Sequence, residues 1–81
     1  EWLLSARKIA GVGIDTHGVD PGQDTDFKTN MASATAGGIA IECLNNIDKL
    51  PVVGAVIVVG GLRLVGGSGS PAAVTALLPT P

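Results

Sequence analysis

Apolar and polar positions alternate along this chain in short bursts, and no apolar stretch runs far. Trp2, Leu3, Leu4 and Ala6 suit the end of a helix, and Arg7 and Lys8 follow where cations meet the negative end of a helix dipole. Ile9 to Ile14 predicts a short strand. Its Gly11 and Gly13 alternate with Ala10, Val12 and Ile14, so one face is bare and another backbone can come close to it. From Asp15 to Asp26 the pattern gives way to turn chemistry, with Thr16, Gly18, Asp20-Pro21-Gly22 and Asp24-Thr25-Asp26. Asp24 or Asp26 is a fitting N-cap for a helix from Phe27 to Ala36, which Gly37-Gly38 would end.

The second half is richer in β-branched residues. Ile39 to Leu44 predicts another strand, and Asn45 to Leu50 a turn or single helical coil closed by Pro51. Ala55 to Val59 is the clearest strand signal. Leu62 to Val65 is expected to continue or re-enter a sheet after a kink or bulge at Gly60-Gly61. Gly66 to Pro71 is a turn, and Ala73 to Leu78 a closing strand. The order helix, strand, helix, strand, coil and hairpin predicts an α/β fold with a mixed sheet.

Composition limits how self-sufficient such a fold is. Among 81 residues, 46% are apolar, yet 12 are Gly and ten are Ala, and Trp2 and Phe27 are the only aromatics. With no disulfide and no obvious metal staple, this is a thin core. The opening Glu1-Trp2-Leu3-Leu4-Ser5-Ala6-Arg7 reads as a helix already under way, and Pro79-Thr80-Pro81 suits neither helix nor strand. Both features point to the C-terminal piece of something longer.

Charge and cysteine content exclude some classes of function. A net charge of −2 with five scattered Lys and Arg argues against nucleic acid. The run Val52 to Val59 is far short of the roughly 20 residues a membrane span needs. A lone Cys43 leans toward a reducing, cytoplasmic compartment; within an apolar strand it reads as a buried thiol.

The candidate chemistry is sparse. Gly11-Val12-Gly13 lacks the third glycine and helix opening of a dinucleotide fingerprint. The Gly66 to Gly69 cluster lacks the Lys-Ser/Thr of a phosphate loop. Four Asp between positions 15 and 26 lack the alternating spacing of a calcium loop, so capping and turn duty explains them better. His17, beside Asp15 and Asp20, is either a general base or ligand, or a solvated loop residue. Glu42 stands out in Ile39-Ala40-Ile41-Glu42-Cys43-Leu44, where alternation sets it opposite Ile39, Ile41 and Cys43. A carboxylate there needs a cation, a hydrogen-bond partner or an edge facing water.

Taken together, five blocks form a recognisable series. They are Lys8-x-x-Gly11-Val12-Gly13-Ile14-Asp15-Thr16, Val19-Asp20-Pro21-Gly22, Asp26-Phe27, Ile41 to Pro51 (IECLNNIDKLP) and Gly66 to Pro71 (GGSGSP). In this order the chain, from Trp2 to about Leu78, resembles the C-terminal half of the cyclase family of metal-dependent hydrolases, which includes bacterial-type kynurenine formamidase and isatin hydrolase.

The resemblance implies that residues 1–81 are the C-terminal part of a single swivelling β/β/α domain whose N-terminal metal-motif half lies elsewhere. It implies a divalent metal, zinc or manganese, held largely by a motif H-x-G-T-H-x-D-x-P-x-H that nothing here matches. It also implies a small-molecule amide substrate such as N-formylkynurenine, on the tryptophan catabolic route to kynurenine, and a homo-oligomer when full length. Of two further metal ligands expected from the C-terminal half, Glu42 matches the glutamate. Asn30 stands at the position of the histidine. Amide oxygen is a weaker and harder ligand than imidazole, so the second metal site would be weakened or lost. Other departures are His17-Gly18 for Pro-Ser, Gly60-Gly61 for Leu-Pro, and Ala73 for an arginine. On this reading the 81 residues alone are inactive, and the loop from Asp15 to Asp26 is a scaffold connection with the chemistry lying beyond it, between Asn30 and Glu42. The alternative is a non-catalytic pseudo-enzyme acting as a binding or scaffold protein.

Overall fold

The computed structural model describes residues 1–80, so Pro81, the end of the predicted terminal tail, lies outside the description. The chain divides into two units, Glu1–Ile47 and Asp48–Pro81. Both parallel and antiparallel strand pairing occur, as the α/β expectation requires, but in two separate two-stranded sheets rather than one continuous sheet.

The first unit begins with α1 (Trp2–Ser5), in which the Ser5 hydroxyl donates to the carbonyl of Glu1 at 3.1 Å. The Arg7 guanidinium lies over the Trp2 ring, 5.7 Å from its centre. Strand β1 (Gly11–Gly13) then pairs in parallel with β2 (Ile39–Ile41), matching Gly11 to Ile39, Val12 to Ala40 and Gly13 to Ile41. Parallel neighbours need a crossover, and α2 (Lys28–Thr35) provides it, giving a β-α-β unit. The bare face foreseen for β1 has a use: a Cβ on Gly11 would run into the backbone and side chain of Ile39.

Helix α2 ends in a full Schellman motif. The N–H of Gly38 donates to the carbonyl of Ser33 at 2.8 Å and that of Gly37 to Ala34 at 3.0 Å, with Gly37 left-handed at φ 74°. This turn drops the chain directly into β2, and the Ile39 N–H donates to the carbonyl of Ala10 at 3.1 Å. Ser33 is buried against the start of β2, its hydroxyl donating to the Ile39 carbonyl at 3.3 Å.

Strand β2 is shorter than the predicted Ile39–Leu44, for a reason visible in the hydrogen bonds. Ile14 N–H donates to the Ile41 carbonyl at 3.0 Å, but the Ile14 carbonyl accepts from Leu44 at 3.0 Å, one residue later than a regular parallel ladder would have it. The extra residue is a bulge at Glu42–Cys43, with Cys43 left-handed at φ 55° and its N–H turned to the Thr16 carbonyl at 2.8 Å. The bulge breaks the alternation inferred for this segment. It leaves both Glu42 and the Cys43 thiol exposed, so the expectation of a buried cysteine is corrected.

In the second unit a short 3-10 turn, Ile47–Lys49, crosses the boundary, and β3 (Val56–Gly61) and β4 (Ala72–Leu77) form an antiparallel hairpin with Val56 opposite Leu77 and Gly61 opposite Ala72. Gly60 and Gly61 sit in regular register here, without the predicted kink or bulge. Leu62 to Val65 do not re-enter a sheet. The Ser70 hydroxyl oxygen takes the Leu62 N–H at 3.1 Å, and a turn closed by Gly67 N–H on the Leu64 carbonyl at 3.2 Å reverses the chain at Gly66, φ 72°.

No apolar side chain is fully buried among the described residues; even the strand residues Val56, Ile57 and Val58 keep 59, 45 and 51% of their surface exposed. A hairpin of two strands is at best marginal by itself in water. The core is as thin as composition implied.

Two glycines test the account of the β-α-β unit. Replacing Gly37 by Ala is expected to cost about 1–2 kcal/mol, the strain of a left-handed L-residue. Replacing Gly11 by Ala, which must push β2 away, is expected to cost about 1–3 kcal/mol. Urea unfolding of the complete protein measures both, and a neutral Gly11→Ala would show that the strands are not this close.

Candidate functional site

Parallel strands deliver their following loops to one edge, and the crevice outside their carboxyl ends is where such sheets place ligands. Here the loop after β1 and the bulge after β2 meet in a recess of about 420 Å³. Its walls include Thr16, His17, Asp20 and Asp24 from the first loop, Glu42 from the bulge, and Phe27 and Asn30 from the start of α2. The structure thus brings Glu42, Asn30 and His17 to one recess, as walls rather than as a bonded set. The loop from Asp15 to Asp26, read as a scaffold connection, supplies much of the wall.

Within the wall, two carboxylates are already committed. The first N–H groups of a helix have no partner inside it, and α2 meets this need unusually. Its N-cap position is Phe27, which has no side-chain acceptor and sits left-handed at φ 52°. Asp24 supplies one substitute. Its Oδ1 accepts from Asp26 N–H at 2.9 Å and its Oδ2 from Lys28 N–H at 3.3 Å. The expected capping role of Asp24 is realised, while Asp26 contributes only its backbone to that exchange.

Asp20 supplies the other. Its Oδ1 accepts the Thr29 N–H, and its Oδ2 accepts both the Asn30 N–H at 3.1 Å and the Asn30 side-chain Nδ2 at 2.8 Å. Desolvation tends to raise the pKa of this half-buried carboxyl. The backbone N–H groups of Thr29 and Asn30, with the Asn30 side-chain amide, outweigh it and hold the pKa below the usual 3.8. This role was missed in the sequence. The only available signal was an Asp nine and ten residues ahead of the first helical turn, a spacing that local capping rules do not cover.

The remaining polar groups decide whether a metal ion fits. His17 and Glu42 are exposed, and Asp20 and Asp24 are engaged with the helix. Among the described residues no three His, Cys, Asp or Glu side chains come together as a group able to hold an ion. Cys43 also stays apart from the recess walls. The donors of this chain do not by themselves make a metal centre. No helix among the described residues is long and apolar enough to cross a membrane.

Comparison with known proteins bears on what this recess belongs to. The chain is 35% identical, over 83 aligned positions, to isatin hydrolase of Roseibium aggregatum, an alignment that covers 98% of this chain and 31% of that protein. The chain is similar to isatin hydrolase. A solved structure of isatin hydrolase A from Labrenzia aggregata, bound to benzyl benzoate, matches with a TM-score of 0.88 and 34% identity over 95% of this chain and 32% of its own. No protein-family model matches. The chain therefore spans about a third of the length of the proteins it resembles, and the likeness confirms the α/β architecture.

The carboxylate cap sets a pH dependence with a definite sign. Asp20 has a folded-state pKa below its unfolded value, so its contribution is complete above about pH 4 and is lost as pH falls through the lowered value. Hydrogen exchange followed by NMR should show the Thr29 and Asn30 amides protected at pH 5 and progressively freed in stronger acid. Protection unchanged by acid, or unchanged in Asp20→Ala, would remove Asp20 as the cap.

Proposed function

We propose that the chain is the C-terminal part of a single-domain, metal-dependent amide hydrolase related to isatin hydrolase, with residues 1–81 completing a site whose main metal-holding motif lies in the other part. The observation that supports this most directly is the recess itself. It lies at the carboxyl ends of a parallel strand pair, inside a segment similar to isatin hydrolase along nearly all its length, and it contains Glu42. Within the class, a kynurenine-formamidase-like reaction on N-formylkynurenine, yielding kynurenine and formate, is the activity the sequence blocks favour.

The residues here would divide the work. Glu42 is the group this chain offers to a divalent ion, zinc or manganese, either as a ligand or as an acid beside the ligands, and the bulge frees it from the strand for that purpose. Asn30 faces the same recess from the family histidine's position; its amide neither titrates nor ligates strongly. The bound metal would supply electrophilic activation of the amide carbonyl and acidify a water. Since this chain lacks a complete donor set, the 81 residues by themselves bind metal weakly and turn nothing over. The protein that contains them acts as a homo-oligomer on small amides and engages neither nucleic acid nor membrane.

The second reading, a binding or scaffold protein that has lost its chemistry, is favoured by Asn30 at the histidine position and Ala73 at that of an arginine, and opposed by the retained Glu42. The reading frame upstream of Glu1 separates the two readings. An intact His/Asp motif there supports the enzyme, and a decayed one supports the scaffold.

The direct test measures hydrolysis of N-formylkynurenine and of isatin by the complete protein and by the isolated 81 residues, with zinc or manganese added. The complete protein is expected to act and the isolated chain not to. Glu42→Ala in the complete protein is expected to lower metal affinity about 10- to 100-fold. Turnover by the isolated chain, or unchanged affinity in the variant, overturns this assignment.

A further inference from the structure

We propose that Asp20 is a positioning residue: it holds the Asn30 amide with its NH2 turned to the cap and its Oδ1 free, making position 30 a hydrogen-bond acceptor for an N–H group on the ligand. The proposal rests on the amide reading above for the identity of the ligand, but not for the positioning.

The polarity of an asparagine amide is set by its partners. An ionised carboxylate only accepts, so the atom of Asn30 lying 2.8 Å from Asp20 Oδ2 must be the donor Nδ2. The flipped amide would set two oxygens against each other at hydrogen-bond distance. The same Oδ2 also accepts the backbone N–H of Asn30 at 3.1 Å, so one oxygen grips the residue at both main chain and side chain. Its second oxygen is bound to Thr29 N–H. With all three donors in place, Asp20 has little capacity left to act as a base or a metal ligand, although it stands in the wall.

What remains of Asn30 is its Oδ1. It accepts no hydrogen bond from a described residue, and no buried side-chain oxygen or nitrogen lacks a partner, so this oxygen is reachable from outside. Asn30 itself lines the recess. The ligand therefore meets an uncharged acceptor whose orientation folding has already fixed, which spares the ordering cost at binding. An acceptor of this kind fits the N–H of a secondary amide or lactam. It offers nothing to the reacting group of an ester, a lactone or a tertiary amide, none of which has an N–H. Unlike a histidine, it keeps this character at every pH where Asp20 is ionised.

The tests use the complete protein. By NMR, the Asn30 side-chain N–H proton held by Asp20 should exchange slowly with solvent, and this protection should vanish in Asp20→Ala. Asp20→Asn retains one acceptor oxygen and should recover the lock in part. Asn30→Ala should raise KM for N-formylkynurenine about tenfold, the worth of one hydrogen bond, and should not do so for the N-methylated analogue. Adding Asp20→Asn, which keeps an acceptor for the cap, should cost no more than about twofold beyond Asn30→Ala alone, because Asp20 acts on the ligand through Asn30. A freely exchanging Asn30 amide in the unaltered protein overturns the positioning. Multiplying effects in the double variant, or equal losses for the N-methylated analogue, overturn the acceptor role. An unaltered protein with a locked Asn30 amide and no amide turnover overturns the proposed function and the N–H ligand with it, and leaves the positioning established.

Discussion

One carboxylate holds the first unit's working parts together. Asp20 reaches from the middle of a long loop to the first turn of α2 and takes three donors on its two oxygens. Without such an acceptor, α2 would begin at a left-handed Phe27 with its leading N–H groups unsatisfied, an uncompensated cost for any helix and a severe one for eight residues. The loop gains as much as the helix does. Its Gly and Pro residues let it turn, while Asp20 and Asp24 decide where it stops. Because both loop and helix start border the recess, the contact that secures the fold also shapes the candidate site.

The opposite edge of the recess depends on a different device. A regular parallel ladder would have carried Glu42 on as one more strand residue. The bulge at Glu42–Cys43 inserts a residue instead, and the left-handed Cys43 lets the backbone regain its pairing at Leu44. A carboxylate that alternation would commit to one face of a sheet is thereby released at the sheet's carboxyl edge. Bulges beside sites commonly re-aim side chains in this way.

Against these well-made local parts stands the lack of a closed core. Small side chains, two aromatics and a hairpin exposed on Val56, Ile57 and Val58 leave little apolar surface buried. The proteins the chain resembles are about three times as long.

Most of the architecture was legible in the residues. The β-branched run at Val56 to Val59, the Gly37-Gly38 stop of α2 and the bare face of β1 act through local stereochemistry, so their neighbours in sequence suffice to read them. Strand limits were less legible, because Leu62 to Val65 has strand propensity and loses its ladder to the Ser70 side chain and the turn at Gly66. Of the recess walls, Glu42 and His17 stood out as residue types, and Asn30 only through the resemblance. Three matters needed the tertiary structure. They are the bulge that exposes Glu42 and Cys43, the commitment of Asp20 to α2, and the meeting of the Asp15–Asp26 loop with Glu42 in one recess. Each depends on contacts between segments nine or more residues apart, whose distances are set by the pairing of β1 with β2 and not by any local preference of the chain.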